Sequence, residues 1–161
     1  ENLPEEFYQK IYKSRTYRAA SNMLRQLQFS LIDMRLHDDF EVGGNKTAFD
    51  LQKELAAKTS ILPLDPENRF LCSFSHIFAG GYSAGYYSYK WAEVLSADAF
   101  SAFEEVGLEK EAKVREVGQK FRDTVLACGG LEHPLTVFKN YRGREPSTKA
   151  LLSHYDLLPR S

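Results

Sequence analysis

Apolar residues recur along most of this chain at steps of three and four, the spacing of helices with one buried face. Residues 2–6, Asn2-Leu3-Pro4-Glu5-Glu6, read as a helix start, with Asn2 as cap, Pro4 in the first turn and the acidic pair at the favourable end of the helix dipole. A short helix to about Lys13 follows. Between 16 and 40, Ala20, Met23, Leu24, Leu27, Leu31 and Met34 form the stripe of an amphipathic helix, the longest that the pattern predicts. Gly43-Gly44-Asn45 breaks the pattern, and Leu51 and Leu55 mark a third helix over 49–59. Pro63 and Pro66 exclude a regular helix over 61–68 and predict a connector.

Beyond the connector, residues 86–104 read as a helix. Tyr86, Tyr89, Ala92 or Glu93, Ser96 and Phe100 lie on one line, and Trp91, Leu95 and Ala99 on another. Gly107-Leu108 separates it from a helix over 109–127 carrying Val114, Val117, Phe121, Val125 and Leu126, which Gly129-Gly130 stops. Two shorter helices, 134–141 and 147–155, flank the turn Arg142-Gly143-Arg144-Glu145-Pro146, with Ser147 as a cap. Strict alternation and fixed-period repeats are missing. The class is therefore all-α and multi-helical, one segment over 1–161, with the glycines in loops.

Composition narrows the partners. In 161 residues, 43% apolar, the formal charge is −1, which argues against nucleic acid and anionic membrane, since both call for a concentrated basic face. No apolar run approaches the roughly 18 to 20 residues of a membrane span. The chain thus reads as soluble. Cys72 and Cys128 form no C-x-x-C pair and are expected to be buried, reduced thiols.

Candidate chemistry gathers in residues 73–100, where a histidine, the Gly80-Gly81 pair, Gly85, four tyrosines and the single tryptophan fall within 28 positions. The glycines do not follow G-x-G-x-x-G and lack the lysine of a phosphate loop, so close approach of backbone or a hinge accounts for them better than a nucleotide. If a helix begins near Tyr82, then Tyr82, Tyr86 and Tyr89 share one face. Their phenols then either line a binding groove and donate to an oxyanion, or pack in the core. Tyr87 falls off that line and is assigned to packing. His76 fits a hydrogen-bonded structural residue as well as a ligand. His37, His133 and His154 stand near predicted helix ends without H-x-x-x-H spacing, so no metal ligand is assigned to this chain.

On Leu24-Arg25-Gln26-Leu27, Phe74-Ser75-His76-Ile77-Phe78-Ala79-Gly80-Gly81-Tyr82, Tyr86-Tyr87-Ser88-Tyr89, Trp91-Ala92-Glu93-Val94-Leu95, Ala97-Asp98-Ala99-Phe100, Gly129-Gly130 and Arg142-Gly143-Arg144-Glu145-Pro146, the sequence resembles the thimet oligopeptidase and oligopeptidase A family of zinc metallopeptidases. The resemblance covers nearly the whole chain, as the C-terminal segment of that family. It implies a larger helical peptidase, cleaving short peptides in a channel, with zinc held by an H-E-x-x-H helix and a further glutamate upstream of this sequence.

By residue match, His76, Tyr82 and Tyr89 resemble groups that contact the substrate and the tetrahedral intermediate. Tyr86 resembles a substrate-contacting tyrosine, and Gly80, Gly81 and Gly85 a loop that closes over peptide. The implied partners are short peptides and the remaining N-terminal part of the peptidase. The implied compartment is the cytoplasm or an organelle, chloroplast or mitochondrion. Zinc is expected in the full-length enzyme, none on residues of this chain, and no activity from this chain alone. The rival reading is a non-catalytic structural or interaction module derived from a peptidase. A piece of a larger helical body is also expected to expose apolar helix faces.

Overall fold

The computed structural model describes residues 3–158, all helices, turns and loops, with no strand among them. The Asn2 cap lies outside the described residues. The chain divides into two compact units, one ending at Trp91 and the other starting at Ala92.

The first unit opens with α1, Glu5–Ser14, whose first turn carries Glu5 and Glu6. Next is α2, Ala19–Asp38, three residues shorter at its start than the pattern predicts because Arg18 turns left-handed at φ 55°. Its buried positions are Ala19, Phe29, Ser30, Ile32 and Asp33. The expected stripe lies on the other side: Leu24, Leu27, Leu31 and Met34 are exposed. α1 buries no residue at all, and Phe7, Tyr8, Ile11 and Tyr12 are exposed along it. Apolar helix faces are therefore presented, as expected for part of a larger body.

α3, Ala48–Thr59, starts at a reciprocal capping box in which Thr47 Oγ1 accepts from the Asp50 N–H and Asp50 accepts from the Thr47 N–H. α2 and α3 enclose a core of Phe29, Ile32, Leu51, Leu55, Leu71, Phe74 and Ile77. The proline connector is pinned to it by Asn68, whose side-chain oxygen accepts from Gln52 Nε2 and from the Phe70 N–H, both at 3.0 Å. Two single 3₁₀ turns, Phe70–Ser73 and Ser75–Ile77, then place Leu71, Phe74 and Ile77 in that core.

α4, Ser88–Val106, begins two residues later than expected and runs from the first unit into the second. Its buried positions are Val94, Ala97, Asp98 and Ala102, which is neither of the two lines the sequence suggests; Trp91 and Phe100 are exposed. α5, Glu111–Phe121, does not continue as α-helix to 127 but passes into a π turn, Arg122–Leu126. There the Ala127 N–H bonds back five residues to Arg122 O at 2.8 Å, and Thr124 Oγ1 bonds the Lys120 carbonyl, a contact that competes with the helical ladder.

α6, Pro134–Arg142, is capped by His133 and ends at Gly143 in the left-handed region, φ 74°. In α7, Lys149–His154, the cap position is Thr148, while Ser147 Oγ accepts from the Lys149 N–H. The second unit is organised on Asp98, which is fully buried and accepts from both Arg144 Nη1 and Nη2 at 2.7 and 2.6 Å and from the Ser147 N–H at 2.7 Å. Burial pushes the Asp98 carboxyl up, but the Arg144 guanidinium and the Ser147 amide outweigh it and hold it below the usual carboxylate range.

The cysteines correct one expectation. Both are free, but Cys72 is exposed and Cys128 only half-buried.

Candidate functional site

The glycine-tyrosine loop folds through main-chain bonds rather than as a helix. The Gly80 N–H donates to Ser75 O at 2.7 Å and the Tyr82 N–H to His76 O at 3.0 Å, curling 75–82 back on itself. A Cβ on Gly80 would stand 2.7 Å from His76 Cα and 2.9 Å from Ser75 O, so this fold of the loop has no room for a side chain there. Gly81 needs glycine for a different reason: φ is +83°, with open space around it. Gly85 has no such requirement. Ser83 Oγ donates to Ile77 O at 2.8 Å and closes the loop against the second 3₁₀ turn.

Tyr82 and Tyr86 thus precede the helix they were expected to share with Tyr89, since α4 starts at Ser88. The turn nevertheless brings the rings together. Tyr82 and Tyr89 meet at 4.8 Å between centroids, Tyr86 and Tyr89 at 5.2 Å, and His76 lies 6.2 Å from Tyr82 and 6.0 Å from Tyr86. His76 and Tyr89 are exposed, and Tyr82 sits at the edge of exposure. Tyr87 is also exposed rather than packed, its backbone carbonyl accepting from the Trp91 N–H.

The phenols are not equivalent. Tyr86 is half-buried; its ring packs on Phe74 and Phe29, and its hydroxyl donates to Gln26 Oε1 at 2.9 Å. Burial raises its pKa, against a smaller lowering by the nearby Arg25 guanidinium. Tyr89 has its pKa pushed up to about 12, first by a hydrogen bond with the Tyr82 side chain and then by burial. A phenol with that pKa is a neutral O–H donor throughout the neutral range. Tyr82 and Tyr89 therefore form a ring pair on the exposed side of the cluster, and Tyr86 anchors it to the core.

Two residues that sequence reasoning missed support this wall. Gln26 takes the Tyr86 hydroxyl, and Asp33 of α2 accepts from the Ala84 and Tyr86 N–H groups, both at 2.9 Å. Asp33 had a readable signal: with Phe29, Ile32 and Leu36 it falls at i, i+3, i+4, i+7 spacing, a carboxylate set in an apolar stripe. Gln26 had none.

The other histidines serve local structure. His133 caps α6, His154 contacts Glu104 at 3.1 Å, and His37 sits on Asp33. Among the described residues, no three His, Cys, Asp or Glu side chains converge as a metal site would require. The zinc implied by the family resemblance does not fit this residue set. No described helix is long and apolar enough to cross a membrane.

A family model described as Peptidase family M3 matches residues 1–157. Organellar oligopeptidase A, chloroplastic/mitochondrial, of Arabidopsis thaliana is 57% identical over 161 residues, all of this chain and 20% of its own length. The probable cytosolic oligopeptidase A of the same plant is 56% identical over 161 residues, again the whole chain and 23% of its own length. Oligopeptidase A of Escherichia coli K12 is 46% identical over 157 residues, 98% of this chain and 22% of that protein. The chain spans about a fifth of the length of these curated relatives.

Proposed function

This chain belongs to peptidase family M3, and from that premise we propose that it forms the substrate-facing, oxyanion-stabilising wall of a zinc metalloendopeptidase acting on short peptides. The observation that carries the reading is the convergence of His76, Tyr82, Tyr86 and Tyr89 on one wall, with the Tyr82 and Tyr89 rings against each other on its exposed side. Attack on a peptide carbonyl builds negative charge on its oxygen. A phenol O–H aimed at that oxygen stabilises the charged intermediate more than the neutral carbonyl, which is how a donor raises turnover rather than affinity. The Tyr82 side chain beside it keeps the Tyr89 phenol neutral, and on peptide binding the Tyr89 O–H turns from its neighbour to the substrate.

Tyr86 contributes its ring and remaining lone pairs to a peptide, since its proton is held by Gln26. His76 offers a ring nitrogen from the loop, and Gly80 and Gly81 shape the loop that faces the peptide. Zinc, when bound in the whole enzyme, supplies an acidified water as nucleophile. Its ligands belong to the remaining N-terminal part of the peptidase, so this chain alone hydrolyses nothing. The exposed apolar faces of α1 and α2 suit that missing part as their cover. Relatives named as chloroplastic/mitochondrial and as cytosolic support the cytoplasm or an organelle as its place.

The test is Tyr89→Phe in the full-length peptidase, with steady-state kinetics on an oligopeptide. Loss of one oxyanion donor is expected to lower kcat by about 10² to 10³ with little change in KM. An unchanged kcat would remove the oxyanion role.

A further inference from the structure

Asp33 is a charged residue in a place that disfavours charge. Its side chain is fully buried on α2, on the face that also carries Phe29 and Ile32. Removing a carboxylate from water costs several kcal/mol unless donors replace the lost hydration, and an apolar residue of similar size often serves stability as well. Here three donors converge. Oδ1 accepts from the Ala84 N–H at 2.9 Å and lies 3.0 Å from His37 Nδ1, while Oδ2 accepts from the Tyr86 N–H at 2.9 Å. His37 Nδ1 also lies 2.8 Å from the Asp33 carbonyl oxygen; both neighbours are acceptors, so this nitrogen carries the proton.

The two backbone donors sit between Tyr82 and Tyr89 in the chain, at the turn that brings those rings together. Ala84 between them is left-handed, φ 52°, a conformation that costs a residue with a Cβ about 1 to 2 kcal/mol. Such a residue persists only where its surroundings over-determine it, and the Asp33 bonds to Ala84 and Tyr86 do that from both sides of Gly85. A turn released here would let Tyr82 leave Tyr89; the other ties from this segment to α2 run through the Tyr86 side chain, its hydroxyl on Gln26 and its ring on Phe29.

We infer that Asp33 is a positioning residue for the tyrosine wall: its buried carboxylate clamps the Ala84 and Tyr86 amides and thereby holds Tyr82 against Tyr89. This rests on the reading of that wall as the oxyanion-facing side of the site. His37, itself part-exposed, is the third member of the clamp and holds the buried carboxylate at Oδ1.

The experiment uses the full-length peptidase. Asp33→Asn keeps the volume but turns an amide NH₂ toward one of the two backbone N–H donors. Amide hydrogen exchange over 82–86 is expected to accelerate about tenfold or more, and kcat to fall about tenfold with KM changing less than about threefold. In a Tyr89→Phe background the same substitution is expected to lower kcat much less, because the group it positions is already gone; a merely structural role would give additive losses.

If Tyr89→Phe lowers kcat while Asp33→Asn matches the parent in exchange and turnover, the clamp is overturned and the wall stands. If Asp33→Asn speeds exchange but neither substitution alters kcat, the wall falls, and the positioning role falls with it. Should Asp33→Asn fail to fold, His37→Ala carries the same comparison with an expected loss of about threefold in kcat, and parental turnover in that protein overturns the inference.

Discussion

The rings of Tyr82 and Tyr89 meet at 4.8 Å, tilted by 35°, although only Tyr89 lies in a helix. The pairing is a product of the turn at 82–87, and the hydrogen bond between the two side chains is the largest reason that the Tyr89 pKa reaches about 12. Tyr82→Phe keeps the ring and removes that bond. The Tyr89 phenol is then expected to titrate lower, toward the ordinary value of about 10, with the smaller effect of burial remaining. Site-resolved NMR titration of the Tyr89 Cζ resonance reads this directly, and an unmoved titration would mean that the pair is not hydrogen-bonded in solution.

Gly80 and Gly81 separate two reasons for glycine. Gly80→Ala places a Cβ 2.7 Å from His76 Cα, a backbone atom that cannot swing aside, so the loop must open and carry His76 with it. Gly81→Ala meets no atom and suffers only the left-handed strain of about 1 to 2 kcal/mol. Both are expected to lower turnover of the full-length enzyme, Gly80→Ala more. Kinetics beside a crystal structure of each variant would check the order; a Gly81→Ala protein with parental loop and parental turnover would dismiss any need for φ > 0 in function.

Asp98 carries the clearest pH signature. Its folded pKa is depressed, so its contribution to stability is fully present above the unfolded value of about 3.9 and is lost as pH falls through the lower, folded pKa. Arg144→Gln removes the two guanidinium bonds and leaves burial unopposed by them. The variant is expected to lose about 2 kcal/mol at neutral pH. The difference in Tm between parent and variant should widen as pH rises from acid toward neutral, where the carboxylate is charged, and shrink where it is protonated. Thermal melts across that range check it; a constant difference would contradict the ion-pair account.

Helix existence was legible because it depends on local period and local stop signals. Pro63, Pro66, Gly43 and Gly143 all punctuate where expected, and the acidic first turn of α1 stands at Glu5 and Glu6. Which face is buried was less legible. On α2 the visible stripe of Leu24, Leu27, Leu31 and Met34 is exposed, and on α4 the buried line runs through Val94, Ala97 and Asp98. In both helices the buried face contains an aspartate, and an acidic residue lowers the apparent apolarity of the face that holds it. A second apolar face on α2 then outscored the true one, as happens when a chain has more than one surface to cover.

Taken alone, the sequence determined the all-helical class, the approximate helix bounds and the concentration of candidate chemistry between His76 and Tyr89, since these follow from periodicity, glycine and proline chemistry and residue type. Only the tertiary structure decided that Tyr82 and Tyr86 precede α4, that the Tyr86 hydroxyl is donated to Gln26, and that Asp33 holds the turn from 51 residues away at Ala84. The physical reason is that a left-handed residue such as Ala84 has no local signature. Its conformation is set by a carboxylate distant in sequence, and such a bond exists only once α2 has packed against the loop.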